Sequence, residues 1–530
     1  MNNTLKHGLA IAVGGICVLP VYGWICVRSG YIGNIFDSAV YLLLADVFSP
    51  YRPLSHELFE FLLSEYAFPP LYPMMLGLLG GGSEAPQMSY LIGALFQYGA
   101  LVYLFYWLRR ESVSLLSSGL LVAIVGLLPT TLLHLMGVFS EQLYMLLTFI
   151  AIVLLANDKL ADRRFLIAAL IVGLSAVARS AGVAAIAALI LFWLQRTGGR
   201  RLFAVPLLAI FPLAAWQSIK LVAGFEASYL NSFSRGGIQQ SLELGLEQIV
   251  INLSALPVHT FLSFDFIALP STQVVITGLS VVAAIGLVRR LTRGCYDAYY
   301  FTAYLFIIFV WPYPNHFARF LLVVLPLWLA YSLFGLSQIF AWARLARAPA
   351  YAAAAVLGSL ALVCGPTTAY ILETTAVTHN TELAEFAKTP QWYRTGRPQD
   401  AYRDMEIVQR MLESMKTLGE FVPASSCITT TTPPMVLLNA KRVARLPPPP
   451  GEGVEKLYEA IEKCPYVFMM AITSWPADGY SPMYPFHLID DAVEVLDVAY
   501  LHPDGDDAHV ISLLGKVDIK SLRGEQNMTP

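Results

Sequence analysis

The chain is dominated by apolar runs of the kind that cross a lipid bilayer, and no soluble fold accommodates so many of them. A hydrocarbon core about 30 Å thick takes about 20 apolar residues per helix. Such runs, some of them short, read over 8–27, 88–108, 114–134, 138–156, 165–178, 181–195, 202–222, 271–288, 298–312, 320–340 and 350–372. The first also reads as a secretory signal with Lys6 at its charged start. Its length, and the lack of a small-x-small cleavage pattern after it, favour a retained anchor. Charged residues make up 13% of the sequence, against about 25% in a typical soluble domain, and mean hydropathy is +0.59. These values exclude a disordered chain, a coiled coil, a disulfide-dense secreted scaffold and an ordinary cytosolic enzyme. A net charge of −3 gives no basic footprint for nucleic acid.

Charge is unevenly spread. Residues 1–372 carry 20 Lys+Arg and 15 Asp+Glu, whereas 373–530 carry 14 and 22 in well under half the length. The sequence therefore predicts a mainly α polytopic membrane domain over 1–372 and an α/β soluble domain over 373–530, which is long enough to fold alone. Lys and Arg in short loops mark the inner side of a membrane protein. With the N-terminus inside, inner loops collect 14 of the 20 basic residues against four acids, Glu111, Asp158, Asp162 and Asp297. The outer side holds 6 basic and 11 acidic residues. One topology follows: N-terminus in, about eleven spans, tail outside. Residues 165–195 fit it only as two short helices meeting at Arg179. A single span would put Arg163/Arg164 and Arg196/Arg200/Arg201 on opposite faces. Arg179 then lies below the outer surface, where a charge is costly unless it lines a polar cavity.

Two outer stretches, Leu54 to Tyr66 and Gln239 to Leu256, are amphipathic and too polar to span, so they are expected along the interface. In the tail, Asp400 to Glu420 places Ile407, Met411, Met415 and Leu418 on one helical face. Strands are expected over 427–431, 443–446, 466–472, 493–500 and 509–514, with helical patterns at 435–439 and 454–464 between them. That alternation predicts a small α/β layer fold. Cys427 and Cys464 are the only cysteines of the tail. In an oxidising compartment they are expected to form a disulfide; two unpaired buried thiols are the alternative. No CxxC or HExxH motif occurs, and neither a metal nor a cofactor is expected.

Asp37 lies about ten residues past the first span in an apolar stretch. A carboxylate there can serve as general base toward an acceptor hydroxyl, or simply cap the helix that follows. Arg319, with His316 nearby, opens a span and offers bidentate donors to a phosphate; the same Arg also reads as an interfacial anchor. Glu141 begins the fourth span, as a site acid or a first-turn acid after Ser140. Arg52, His56, Lys220 and His259 lie outside or at the outer edge, and each alone reads as a solvated group. With Tyr41 and Tyr72 they complete the substrate-binding candidates. Asp37, Glu141, Arg179, His316 and Arg319 lie on five segments, yet one topology brings all five to the outer face. A lipid-linked phosphate ester held by Arg, attacked by an acceptor that Asp deprotonates, is the reaction class such a set suits. A polyprenyl-lipid flippase or transporter that cleaves no bond is the alternative.

At these residues the chain resembles the GT-C superfamily of polytopic glycosyltransferases, in the branch of protein O-mannosyltransferases and the lipid A aminoarabinose transferase. The resemblance rests on Asp37 after the first span, Phe68-Pro-Pro-Leu-Tyr-Pro73, Ser140-Glu141-Gln-Leu-Tyr144, Val177-Ala-Arg179-Ser-Ala-Gly182 and His316-Phe-Ala-Arg319-Phe-Leu…Pro326, in that order. It implies inverting transfer of a sugar from a polyprenyl-phosphate donor to a glycan, lipid or protein acceptor at the outer face. Asp37 would be the catalytic acid of the first loop, Arg319 the basic residue presented to the lipid phosphate, and Arg179 a weaker candidate for it. Many members carry Asp-Glu in the first loop, where this chain has Ser38 in the second place. The compact loops and short tail point to a bacterial inner membrane with a periplasmic tail; an endoplasmic reticulum membrane with a lumenal tail is the alternative, with the same topology.

Overall fold

The computed structural model describes residues 14–15, 18–27, 36–52, 62, 68–156, 162–197, 203–225, 247, 271–310, 317–345, 347–377, 411–448, 453–470, 489–501, 509–519 and 521. Among them the helices are α1 (Val18–Val27), α2 (Phe36–Val47), α3 (Leu71–Leu78), α4 (Pro86–Arg110), α5 (Leu115–Leu127), α6 (Pro129–Leu135), α7 (Glu141–Leu155) and α8 (Asp162–Ala178). There follow α9 (Val183–Thr197), α10 (Ala204–Ala223), α11 (Thr272–Thr292), α12 (Tyr296–Phe309), α13 (Phe317–Leu321), α14 (Leu325–Trp342) and α15 (Ala348–Val377). Over their described residues, the apolar runs expected to span are largely helical. By length and apolarity alone, 6 helices among the described residues suffice to cross a membrane, or up to 7 with α5 and α6 taken as one bent span. The chain is a multi-pass membrane protein. The α5–α6 bend of 53° falls at Pro129, which cannot donate to the ladder and sits at the start of α6.

Tight backbone contact builds the bundle. A Cβ on Gly286 of α11 would meet the Tyr331 carbonyl oxygen at 2.2 Å, and one on Gly335 of α14 would meet that of Val282 at 2.0 Å. Only glycine at both places lets α11 and α14 touch. Near the start of α12 a buried ion cluster ties three helices. Arg290 donates to Asp297 from Nε at 2.6 Å and Nη2 at 2.7 Å, and to Glu111 from Nη1 at 2.7 Å. Trp107 and Phe334 each hold a ring about 5.3 Å from the guanidinium carbon. Tyr331 completes the set through its hydroxyl to Asp297 at 2.9 Å.

The tail begins, among the described residues, with helix α16 (411–421). β1 (Ile428–Thr430), α17 (Pro433–Ala440), β2 (Ala444–Arg445), α18 (Val454–Lys463), β3 (Tyr466–Met470), β4 (Val493–Leu501) and β5 (His509–Val517) follow. The strands form one sheet in the order β2-β1-β3-β5-β4. β1 pairs in parallel with β2 and β3, and β5 pairs antiparallel with β3 and β4. The parallel pairs require crossovers, which α17 and α18 supply. Met411, Met415 and Leu418 of α16 are buried in the sheet-domain core, as their spacing predicts; Ile407 lies outside the described residues. Cys427 and Cys464 form the expected disulfide, with Cα atoms 4.8 Å apart.

Candidate active site

The site assembles where four helix ends meet. α8 stops at Ala178, Arg179 is extended at φ −153° and ψ 135°, and the chain restarts in a single turn over Ser180–Gly182 before α9. This is the break that the basic residues flanking 165–195 demand. Ser140 precedes α7, Asp37 lies in the first turn of α2, and Arg319 lies on α13. α2 starts at Phe36, so Asp37 sits one residue inside the helix rather than at its cap.

The four charged side chains form one network. Arg319 donates from Nη1 to Asp37 Oδ2 and from Nε to Glu141 Oε1, and its Nη2 reaches Glu141 Oε2 at 3.4 Å. Arg179 Nη1 lies 2.9 Å from Glu141 Oε2 and donates to Ser140 Oγ at 3.3 Å. Two carboxylates and two guanidinium groups thus cancel in charge, which makes their joint burial tolerable. Glu141 is fully buried, Arg179 and Arg319 are 12% and 11% exposed, and Asp37 is 26% exposed. Glu141 therefore anchors both arginines from behind, and Asp37 is the more exposed of the two acids. Aromatic faces hold the cations: Phe139 lies 4.2 Å from the Arg319 guanidinium carbon and Phe320 lies 4.9 Å from that of Arg179. The Tyr304 hydroxyl donates to the Phe320 carbonyl at 3.0 Å, fixing the backbone beside Arg319.

Two serines set α2 in place through partners that the sequence does not reveal. Ser38 Oγ accepts from the Val138 amide at 3.0 Å and is 2% exposed. Ser140 Oγ receives the Tyr41 hydroxyl at 2.9 Å as well as Arg179. Tyr41 is buried, with the rings of Phe68 and Tyr72 each at 5.0 Å and edge-on. Tyr41 and Tyr72 are thus packing partners of the charged network. Ser38, at the place where a second acid would stand, spends its side chain on backbone 100 residues away.

Arg52 lies away from this network. It pairs with Asp46 near the far end of α2, with Glu84 at 3.7 Å. Nine residues of helix separate Asp46 from Asp37, a rise of about 14 Å. Lys220 is buried in the last turn of α10. His56, His259 and His316 lie outside the described residues. Among the described residues, no group of three His, Cys, Asp or Glu side chains is placed to hold a metal ion.

No protein-family model matches the chain, and no curated protein matches it significantly. Solved structures do match in fold. ArnT from Cupriavidus metallidurans in the apo state aligns with a TM-score of 0.51 at 9% identity, over 95% of this chain and 97% of that one. The same protein bound to undecaprenyl phosphate gives a TM-score of 0.45 at 10% identity, over 97% and 98% of the two chains. The archaeal oligosaccharyltransferase AglB from Archaeoglobus fulgidus, in complex with an inhibitory peptide and a dolichol-phosphate, gives 0.46 at 13% identity, over 88% and 69%. The likeness to apo ArnT, at a TM-score of 0.51, is one of fold. It runs from the bundle through the C-terminal sheet.

Proposed function

We propose that this protein is a membrane glycosyltransferase that moves a sugar from a polyprenyl-phosphate donor to an acceptor hydroxyl or phosphate at the outer face of a bacterial inner membrane, with inversion. The observation that carries the reading is the buried Asp37–Arg319–Glu141–Arg179 network, with Asp37 its most exposed member. The resemblance to GT-C glycosyltransferases and the likeness in fold to ArnT support the same reaction class. In this scheme Asp37 takes the proton of the acceptor, whose oxygen attacks the anomeric carbon. The bond from that carbon to the phosphate oxygen breaks on the opposite face, and polyprenyl phosphate leaves with the electron pair. Arg319, with Arg179 behind it and His316 near in sequence, receives the departing phosphate. A preorganised cationic pocket accelerates loss of such a group. The guanidinium groups carry the phosphate charge in this scheme, which calls on no metal or cofactor. The full topology we propose has about eleven crossings, the N-terminus in the cytoplasm, a membrane domain over 1–372 and a periplasmic domain over 373–530.

The test is release of polyprenyl phosphate by purified protein in detergent, from a mixture of polyprenyl-phosphate sugars and with candidate acceptors present. Wild type is expected to release it, and Asp37→Asn and Arg319→Ala to lose nearly all turnover. Release that survives Asp37→Asn removes Asp37 as the base. Donor binding with no release under any acceptor favours a flippase.

A further inference from the structure

The inner helices of a bundle are covered by other helices, but α2 is covered from two directions by two parts of the chain. It has 12 residues, a length at which isolated helices are marginal, and it is apolar all round, which calls for burial on every side. Tyr41, Leu42 and Ala45 belong to the core of the bundle. Another stripe meets the C-terminal domain: Val40, Leu43, Leu44 and Val47 share a buried cluster with Leu437 of α17 and with Leu62, and Trp216 and Phe225 pack at its edge. Ala39, two positions from Asp37, lies in the core of the sheet domain itself, with Met435, Val436 and Ala440 of α17, Met411 and Met415 of α16, and Ile428 and Phe468 of the sheet. A continuous apolar core therefore runs from the sheet to the turn of helix that carries Asp37.

We infer that the C-terminal domain is a positioning element for Asp37, acting through the contact of α17 with α2, and that Leu437 is its principal positioning residue. This rests on the reading of Asp37 as the group that meets the acceptor. Ser38 and Tyr41 tether the first turn of α2 through hydrogen bonds to Val138 and Ser140, and Asp46 ties its last turn to Ser83. Rotation of the helix about the line between them is opposed by packing on both sides, against α3, where Gly77 lets the Ala45 carbonyl approach closely, and against α17. A shift of α2 by a fraction of a turn would swing the Asp37 carboxylate away from Arg319 while leaving the bundle intact.

The experiment compares wild type, Leu437→Ala and Leu437→Met in the full chain, with kcat and donor KM referred to the folded, monodisperse fraction. Leu437→Ala is expected to lower kcat at least tenfold with KM changed less than twofold, and Leu437→Met to keep at least half of wild-type kcat. An unchanged kcat per folded molecule, with only a lower unfolding temperature, overturns the inference. A second readout is independent of activity: the rate at which a water-soluble maleimide alkylates Asp37→Cys, with and without Leu437→Ala, corrected for the parent's background. A change of at least fivefold is expected, and equal rates overturn the inference. If wild type turns over no donor, the transferase reading fails and the alkylation rates still decide the positioning role. Leu437→Val replaces the alanine variant in both comparisons if the latter does not fold.

Discussion

Arg319 and Asp37, 282 positions apart in the chain, are joined directly by a hydrogen bond from Nη1 to Oδ2. The same guanidinium also donates to Glu141. The cation proposed to receive a phosphate is held by the acid proposed to take a proton. The two roles are therefore coupled: a phosphate that draws Arg319 toward itself releases Asp37 for the acceptor. Asp37→Asn is expected to tighten binding of polyprenyl phosphate, because Arg319 then loses its competing carboxylate. Isothermal titration of the variant against wild type, at matched salt, measures this.

Glu141 is expected to matter more for stability than Asp37. It is fully buried and faces both arginines, so Glu141→Ala leaves two buried cations with too little negative charge. Removing one partner of a buried pair costs about 3–5 kcal/mol. Thermal unfolding in detergent should show Glu141→Ala well below Asp37→Asn, whose acid is part-exposed.

Ser38→Ala is expected to weaken the protein by about 1–3 kcal/mol, the cost of leaving the buried Val138 amide unpaired. Ser38→Glu, which restores a pair of adjacent acids, is expected to lose activity rather than gain it. The position is 2% exposed, and a carboxylate there has no cation within the observed contacts. Turnover and unfolding temperature of the two variants, measured side by side, check both statements.

At the Arg290 cluster, Arg290→Met strands Glu111 and Asp297 without their shared partner. Destabilisation of about 3–5 kcal/mol is expected, with donor affinity unchanged in whatever protein remains folded. Denaturation in detergent and a donor-binding isotherm on the same preparation distinguish this structural role from a part in catalysis.

Replacing Cys427 and Cys464 together by Ser opens a loop with a sequence separation of 37. Loop-closure entropy puts the loss at about 3–4 kcal/mol, confined to the sheet domain. Hydrogen exchange should rise across β1, α17 and α18 while α4, α7 and α14 keep their protection.

Much of this arrangement is legible in the sequence, because it is written in charge and apolar length. The break at Arg179 follows from basic clusters at 163–164 and 196–201 that must share a side, and the structure ends α8 at Ala178. Asp37, Glu141, Arg179 and Arg319 could be brought together by sidedness alone, although nothing in the sequence says which carboxylate pairs with which guanidinium. The tail strands emerge within a few residues of their predicted bounds, since turn residues and β-rich runs alternate cleanly there. The partners of Ser38 and Ser140 are not legible. A short hydroxyl whose partner is backbone or another hydroxyl about a hundred residues away leaves no periodic or electrostatic trace. Arg290, Glu111 and Asp297 look like loop charges for the same reason that they help set topology, and only the fold shows them buried together. Arg52 reads as a free outer cation, whereas Asp46 claims it.

The break at Arg179 has a further electrostatic consequence. Helix ends carry partial charge, about half a positive unit at the N-terminus and half a negative unit at the C-terminus. Asp37 lies in the first turn of α2 and Glu141 opens α7, so both acids sit at positive ends. Arg179 directly follows the last residue of α8, at a negative end. The backbone thus matches the sign of three of the four charges, and its dipoles do not move when side chains exchange partners. In the proposed reaction, a phosphate that takes Arg319 leaves the two acids still facing positive helix ends. The ground state can give up an ion pair at low cost, and the pocket can reset without rebuilding its field.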